Sequence, residues 1–211
     1  MVTALLSAFA LTSAVVLVRA ERQGFQNLVY LAKPLAMISI ILIAVFAWPT
    51  VSDAYRLWML IGLGFSLLGD IALMLPRDRF LAGLSAFLVG HVAYAMAFLG
   101  RLTEFSPLPY LPFALAAVFI VVILWRHLDR LRLPVIVYAA AIAVMAGSAW
   151  AVAMATGSLS GWLAAAGASL FLFSDVVLAL NRFVGEIKNS DALIVATYFP
   201  GQLLLALSVF G

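Results

Sequence analysis

Eight uninterrupted apolar runs, each close to 20 residues long, constrain this chain more than any motif it carries. They fall at 2–18, 28–47, 57–75, 80–99, 108–125, 134–155, 161–180 and 191–210. A helix rising 1.5 Å per residue needs ~20 apolar residues to cross ~30 Å of hydrocarbon. Backbone in lipid must satisfy its own hydrogen bonds, which leaves helices or a closed barrel. Barrel strands alternate apolar and polar residues, and these runs do not. The expectation is an all-α integral membrane bundle of eight transmembrane helices. It forms a single transmembrane domain over 1–211, with connections too short to hold a soluble one. Composition agrees: 66% of the 211 residues are hydrophobic and 10% charged, against ~25% charged in soluble domains. Residues 1–18 follow Met1 without a basic segment, so they read as the first span rather than a signal peptide.

Arginine and lysine set the expected orientation. The first, third, fifth and seventh connections carry Arg19, Arg22, Arg77, Arg79, Arg126, Arg130, Arg132, Arg182 and Lys188, and Lys33 lies just inside span two on the same side. The opposite connections carry only Arg56 and Arg101. Basic residues accumulate on the cytoplasmic side, so both termini are expected to be non-cytoplasmic. That bias also explains the net charge of +3, and no nucleic-acid partner is expected. His127, in the basic loop, reads as part of a solvated face.

Against this background the polar residues inside spans stand out. A carboxylate within a span costs ~2.5–3.5 kcal/mol on insertion scales and usually marks function. Asp70 and Asp175 each lie five or six residues before an arginine-bearing turn, ~8–9 Å deep. Ser66 precedes Asp70 by one turn; Ser174 adjoins Asp175, with Asn181 further along the same helix. Lys33, followed by Pro34, has the depth to pair with an aspartate, bind a lipid phosphate or snorkel to the surface. His91 and Gln202 lie near the midplane, with Tyr94 and Tyr198 on the same helix faces. As isolated polar groups, these would be read first as glue between helices.

Much chemistry is excluded. The chain has no cysteine and two histidines, so thiolate and multi-histidine metal sites are ruled out. It has no G-x-S-x-G elbow, H-E-x-x-H pair or P-loop. No metal or other cofactor is expected. What remains is acid–base chemistry by two carboxylates.

Gly69-Asp70-Ile71-Ala72-Leu73 ends span three, and Ser174-Asp175-Val176-Val177-Leu178 ends span seven. The following spans carry Gly90-His91 and Gly201-Gln202. The shift is four helices, which preserves direction, so a parallel 4+4 repeat of 1–105 and 106–211 is expected.

The ordered set Lys33-Pro34, Gly69-Asp70, His91 with Tyr94, Ser174-Asp175, and Tyr198 four before Gln202 resembles the YhhN-like membrane family, which includes the lysoplasmalogenases. The resemblance covers nearly the whole chain. It implies hydrolysis of the vinyl ether bond of a lysoplasmalogen to a fatty aldehyde and a glycerophospho-base, with Asp70 and Asp175 as the catalytic pair. Lys33, Ser66, His91, Tyr94, Ser174, Asn181, Tyr198 and Gln202 would then surround the substrate, the lipid tail running past His91, Tyr94 and Gln202.

Asp70, flanked by glycine and leucines, is the expected acid; Asp175, with Ser174 and Asn181 nearby, the ionised partner. The expected setting is a bacterial inner (plasma) membrane, with the site opening toward the cytoplasmic leaflet. The partners are a lysophospholipid substrate and the bilayer, and a homo-oligomer is compatible with such a chain. The competing expectation is a small proton-coupled secondary transporter of a lipophilic substrate, since parallel repeats and paired intramembrane acids also suit proton coupling.

Overall fold

A computed structural model describes residues 2–75 and 79–211. Arg77, counted above on the basic side, lies outside the described residues, as does the side chain of Arg22. The described residues form eight helices long and apolar enough to span a membrane: α1 Val2–Gln23, α2 Gln26–Val45, α3 Asp53–Met74, α4 Phe80–Leu99, α5 Leu111–Leu124, α6 Arg132–Thr156, α7 Leu159–Phe183 and α8 Ser190–Leu207. Single 3-10 turns extend α5 at both ends, giving a span from Leu108 to His127. The bundle is all-α, as the apolar runs require.

Helix ends follow ordinary capping chemistry. Ser52 and Ser158 cap α3 and α7 by accepting from the amides of Tyr55 and Gly161, both at 3.1 Å. Gly157 ends α6 in the left-handed region at φ 60°, its amide bonding to Ala153 O. There a side chain would be strained, and glycine is the usual solution.

Hydrophobic driving force between helices is weak in lipid, so close backbone approach supplies much of the attraction. Two hairpins use it most. In α7–α8, Gly167 and Gly201 face each other so closely that a Cβ on either would lie 2.8–3.0 Å from the other's carbonyl oxygen. In α3–α4, a Cβ on Gly90 would lie 3.2 Å from Gly62 O. Gly62 and Gly69 receive the rings of Tyr94 and Phe87 where a Cβ would overlap them. The hairpins join across the bundle through α4 against α6 and α2 against α8. Helix α5 stands outside this core, with Leu124 its buried residue.

The end away from the arginine-rich connections is tightly closed. Val51 N bonds to Val209 O and Gly211 N to Pro49 O, both at 3.0 Å. The Arg101 guanidinium lies 4.8 Å over the Tyr55 ring and donates to Ser160 Oγ at 3.0 Å. The Tyr55 and Ser208 hydroxyls pair at 2.7 Å.

Candidate active site

The two aspartates occupy different environments within one polar cluster. Asp70, on the last turns of α3, is 2% exposed. Its Oδ2 accepts from the Tyr198 hydroxyl of α8 at 2.6 Å, and its Oδ1 lies 3.4 Å from Lys33 Nζ of α2. Pro34 is inside α2, one residue after the lysine. Asp175, on α7, retains 11% side-chain exposure. Its Oδ2 accepts from the Tyr138 hydroxyl of α6 at 2.5 Å and lies 3.1 Å from His91 Nε2 of α4. His91 Nε2 is also 2.9 Å from the Tyr138 oxygen. The Tyr138 proton is committed to Asp175, so a hydrogen on Nε2 is shared between the two oxygens. His91 Nδ1 is buried without a hydrogen-bond partner among the described residues. A bare acceptor there leaves no donor stranded, the more tolerable arrangement for a buried ring.

Deeper in the bundle, Tyr94 donates to Gln202 Oε1 at 2.7 Å, and Ser66 Oγ lies 3.5 Å from the Tyr94 hydroxyl. These three residues are fully buried. Phe171, one turn before Asp175, is the hub between the two halves. Its ring centroid lies 4.7 Å from His91, 5.2 Å from Tyr198 and 5.9 Å from Phe87.

An apolar pocket lies among α4, α5, α6 and α7. Hydrocarbon side chains make most of its wall, including Leu84, Ile120, Ile142 and Leu172. Among the described residues, Asp175 is the one charged residue in that wall and Tyr138 the one hydroxyl. Asp70 is absent from it. Phe87 lines the pocket and also packs against Gly69 and, at 5.9 Å between centroids, against Tyr198. It therefore stands between the pocket and the Asp70 cluster.

The structure thus brings Asp70, Asp175, Lys33, His91, Tyr94, Tyr198, Gln202 and Ser66 into one polar assembly. Two other candidates sit differently. Ser174 is buried beside Asp175, but the Asp175 carboxylate takes its hydrogen bonds from Tyr138 and His91. Asn181 Oδ1 accepts from Ile187 N at 2.8 Å and shapes the α7–α8 connection. His91, Tyr94 and Gln202, along the expected tail path, are fully buried; the open apolar volume lies nearer the start of α4, on the same face, at Phe80, Leu84 and Phe87.

Tyr138, Phe87 and Phe171 are additions to the sequence-based site. Tyr138 had one signal: it stands 37 residues before Asp175, as Lys33 stands 37 before Asp70. The aromatic residues had none, because a phenylalanine in an apolar span is indistinguishable from core.

The sequence profile described as the YhhN family matches residues 28–209. The chain is 31% identical over 184 residues to the membrane protein YhhN of Escherichia coli O157:H7, covering 84% of this chain and 85% of that protein. It is 36% identical over 171 residues to lysoplasmalogenase TMEM86B of Mus musculus, covering 80% and 71%. With lysoplasmalogenase TMEM86B of Homo sapiens it shares 31% over 181 residues, covering 81% and 72%. No solved structure matches. A profile spanning most of the chain and relatives matched over most of their length lead to one conclusion: this multi-pass membrane protein, similar also to proteins named lysoplasmalogenase, belongs to the YhhN family.

Proposed function

We propose that this chain hydrolyses the vinyl ether bond of lysoplasmalogens, with Asp175 as the acid and Asp70 as the carboxylate partner. The observation that carries the reading is the pocket itself: a hydrocarbon-lined volume open to a single carboxyl group. It suits a single lipid chain attached through an acid-labile bond. The relatives named lysoplasmalogenase support the substrate class.

The chemistry follows from the contacts. Asp175, carrying its proton on Oδ1, transfers it to the β-carbon of the vinyl ether, and the electron pair of the C=C bond forms the new C–H bond. Tyr138 and His91 hydrogen-bond to Oδ2 and stabilise the carboxylate left behind. With the Phe87 ring displaced by the bound lipid, water attacks the resulting oxocarbenium ion and passes its proton to Asp70. In the hemiacetal, Asp175 removes the hydroxyl proton while Asp70 returns its own to the departing glycerol oxygen. Aldehyde and alcohol leave, and both carboxyl groups regain their starting states. Lys33 Nζ, 3.4 Å from Asp70 Oδ1, places a cation where the base role needs a carboxylate. The sequence favoured Asp70 as acid on its apolar neighbours; the Lys33 contact and the pocket-facing position of Asp175 favour the reverse.

Each aspartate takes one partner from its own half and one from the other: Lys33 and Tyr198 for Asp70, Tyr138 and His91 for Asp175. This alternation, with the matched 37-residue spacing, supports a parallel 4+4 repeat in which a duplicated acid site has diverged into acid and base. Both aspartates lie toward the arginine-rich end, which suits a substrate entering from one leaflet and favours an enzyme over a carrier.

The test is to give purified protein an alkenyl lysophospholipid and its saturated alkyl analogue in D2O. Expected is aldehyde from the alkenyl lipid alone, with one deuterium at C2. Release of fatty acid from ester lysolipids without alkenyl cleavage would overturn the reading.

A further inference from the structure

The proposed reaction consumes one water per turnover, yet the pocket that admits the lipid is lined by hydrocarbon and separated from Asp70 by Phe87. A different set of residues leads to Asp70 from the arginine-rich end. Lys33 Nζ is 3.4 Å from Asp70 Oδ1 and its side chain keeps 17% exposure. Glu21, in the last turn of α1, lies within electrostatic range of Lys33 and of the exposed Asp191 in the first turn of α8.

Glu21 is an unusual residue for its place. A carboxylate at a helix C-terminus opposes the helix dipole, and a half-buried one loses hydration. Glu21 Oε2 is hidden from solvent and accepts no hydrogen bond among the described residues. A buried acceptor without a protein donor is ordinarily satisfied by an internal water. Asp191, Glu21, Lys33, Asp70 and Tyr198 then form a polar column where α1, α2 and α8 meet, on the side of the bundle away from the pocket.

We propose that this column is a separate aqueous entrance, through which water reaches Asp70 from the cytoplasmic face while the lipid reaches Asp175 through the α4–α7 pocket. Glu21 is its positioning residue, holding water between the surface and Lys33. The inference rests on the hydrolase reading for its purpose but on the α1–α2–α8 geometry for its existence.

The chain contains no cysteine, so single cysteines report water access directly. In lipid nanodiscs, Lys33→Cys is expected to react at least tenfold faster with a charged methanethiosulfonate reagent than Ala139→Cys in the pocket wall. Adding Glu21→Leu to Lys33→Cys is expected to slow that reaction at least tenfold, and Glu21→Gln, which still holds water, to leave it within about twofold. In the otherwise native chain, Glu21→Leu is expected to lower kcat about tenfold with KM unchanged, and Glu21→Gln to retain most activity. Equal labelling at positions 33 and 139, labelling at 33 indifferent to Glu21→Leu, or equal kcat losses in the leucine and glutamine variants would each overturn the entrance. The labelling arms need no substrate. A protein that labels as expected but releases no aldehyde refutes the reaction and leaves the entrance standing.

Discussion

At the scale of single residues, the account turns on partners. Lys33 and Asp70 are an ion pair in an apolar surrounding, and removing one member strands the other. Breaking a buried pair costs ~3–5 kcal/mol, whereas replacing both by apolar groups is often neutral. Lys33→Met is expected to destabilise by about 3 kcal/mol, the low end, because Lys33 keeps some exposure. The double variant Lys33→Met with Asp70→Leu is expected to recover most of that loss, as thermal unfolding in detergent would report. Equal destabilisation in both would refute the pair. Tyr138→Phe removes one donor to Asp175 while keeping the ring in the pocket wall. A hydrogen bond to a charged group contributes ~1.5–3 kcal/mol, so kcat is expected to fall about 10–100-fold with little change in unfolding temperature. Unchanged kcat would place Tyr138 outside the chemistry.

The residue-level site was half legible in the sequence. Asp70, Asp175 and Lys33 announce themselves because a charge in a span is expensive wherever it points. Tyr138, Phe87 and Phe171 do not, since an aromatic ring in an apolar run carries no such penalty. Asn181, six residues after Asp175 on the same helix, has its oxygen engaged by the α7–α8 connection, a contact that the sequence does not announce.

At the scale of helices, hydropathy located the spans to within a few residues of the observed ends, because burial in lipid is a property of each segment alone. It could not assign rotation or neighbours. The contacts of α4 with α6 and of α2 with α8 are between non-consecutive helices, and the pocket exists because α5 stands away from the core. The glycines are the elements' own signature of close packing. Gly201→Val would drive its branched side chain into the Gly167 carbonyl, and overpacking costs ~1–3 kcal/mol. A loss in that range is expected, with Gly64→Val, where open space surrounds the Cβ position, as the control. Equal effects at both positions would refute the α7–α8 contact.

At the scale of the whole molecule, the two aspartates mark two approaches. The pocket leads to Asp175 from between α4 and α7, and the polar column leads to Asp70 from between α1, α2 and α8. Both begin at the arginine-rich end, and the far end is sealed around Arg101. The proposed positive-inside orientation would make that end cytoplasmic. Single cysteines at Glu186 and Glu104 in intact cells are expected to be protected from and open to an impermeant thiol reagent, respectively; the reverse pattern would invert the orientation. The measurement closest to the central claim is aldehyde release from lysoplasmenylethanolamine by the purified protein, compared with Asp70→Asn and Asp175→Asn. General acid–base groups contribute ~10²–10⁴-fold. The account predicts losses of that size in both variants, with the folded protein retained; wild-type rates in either would contradict it.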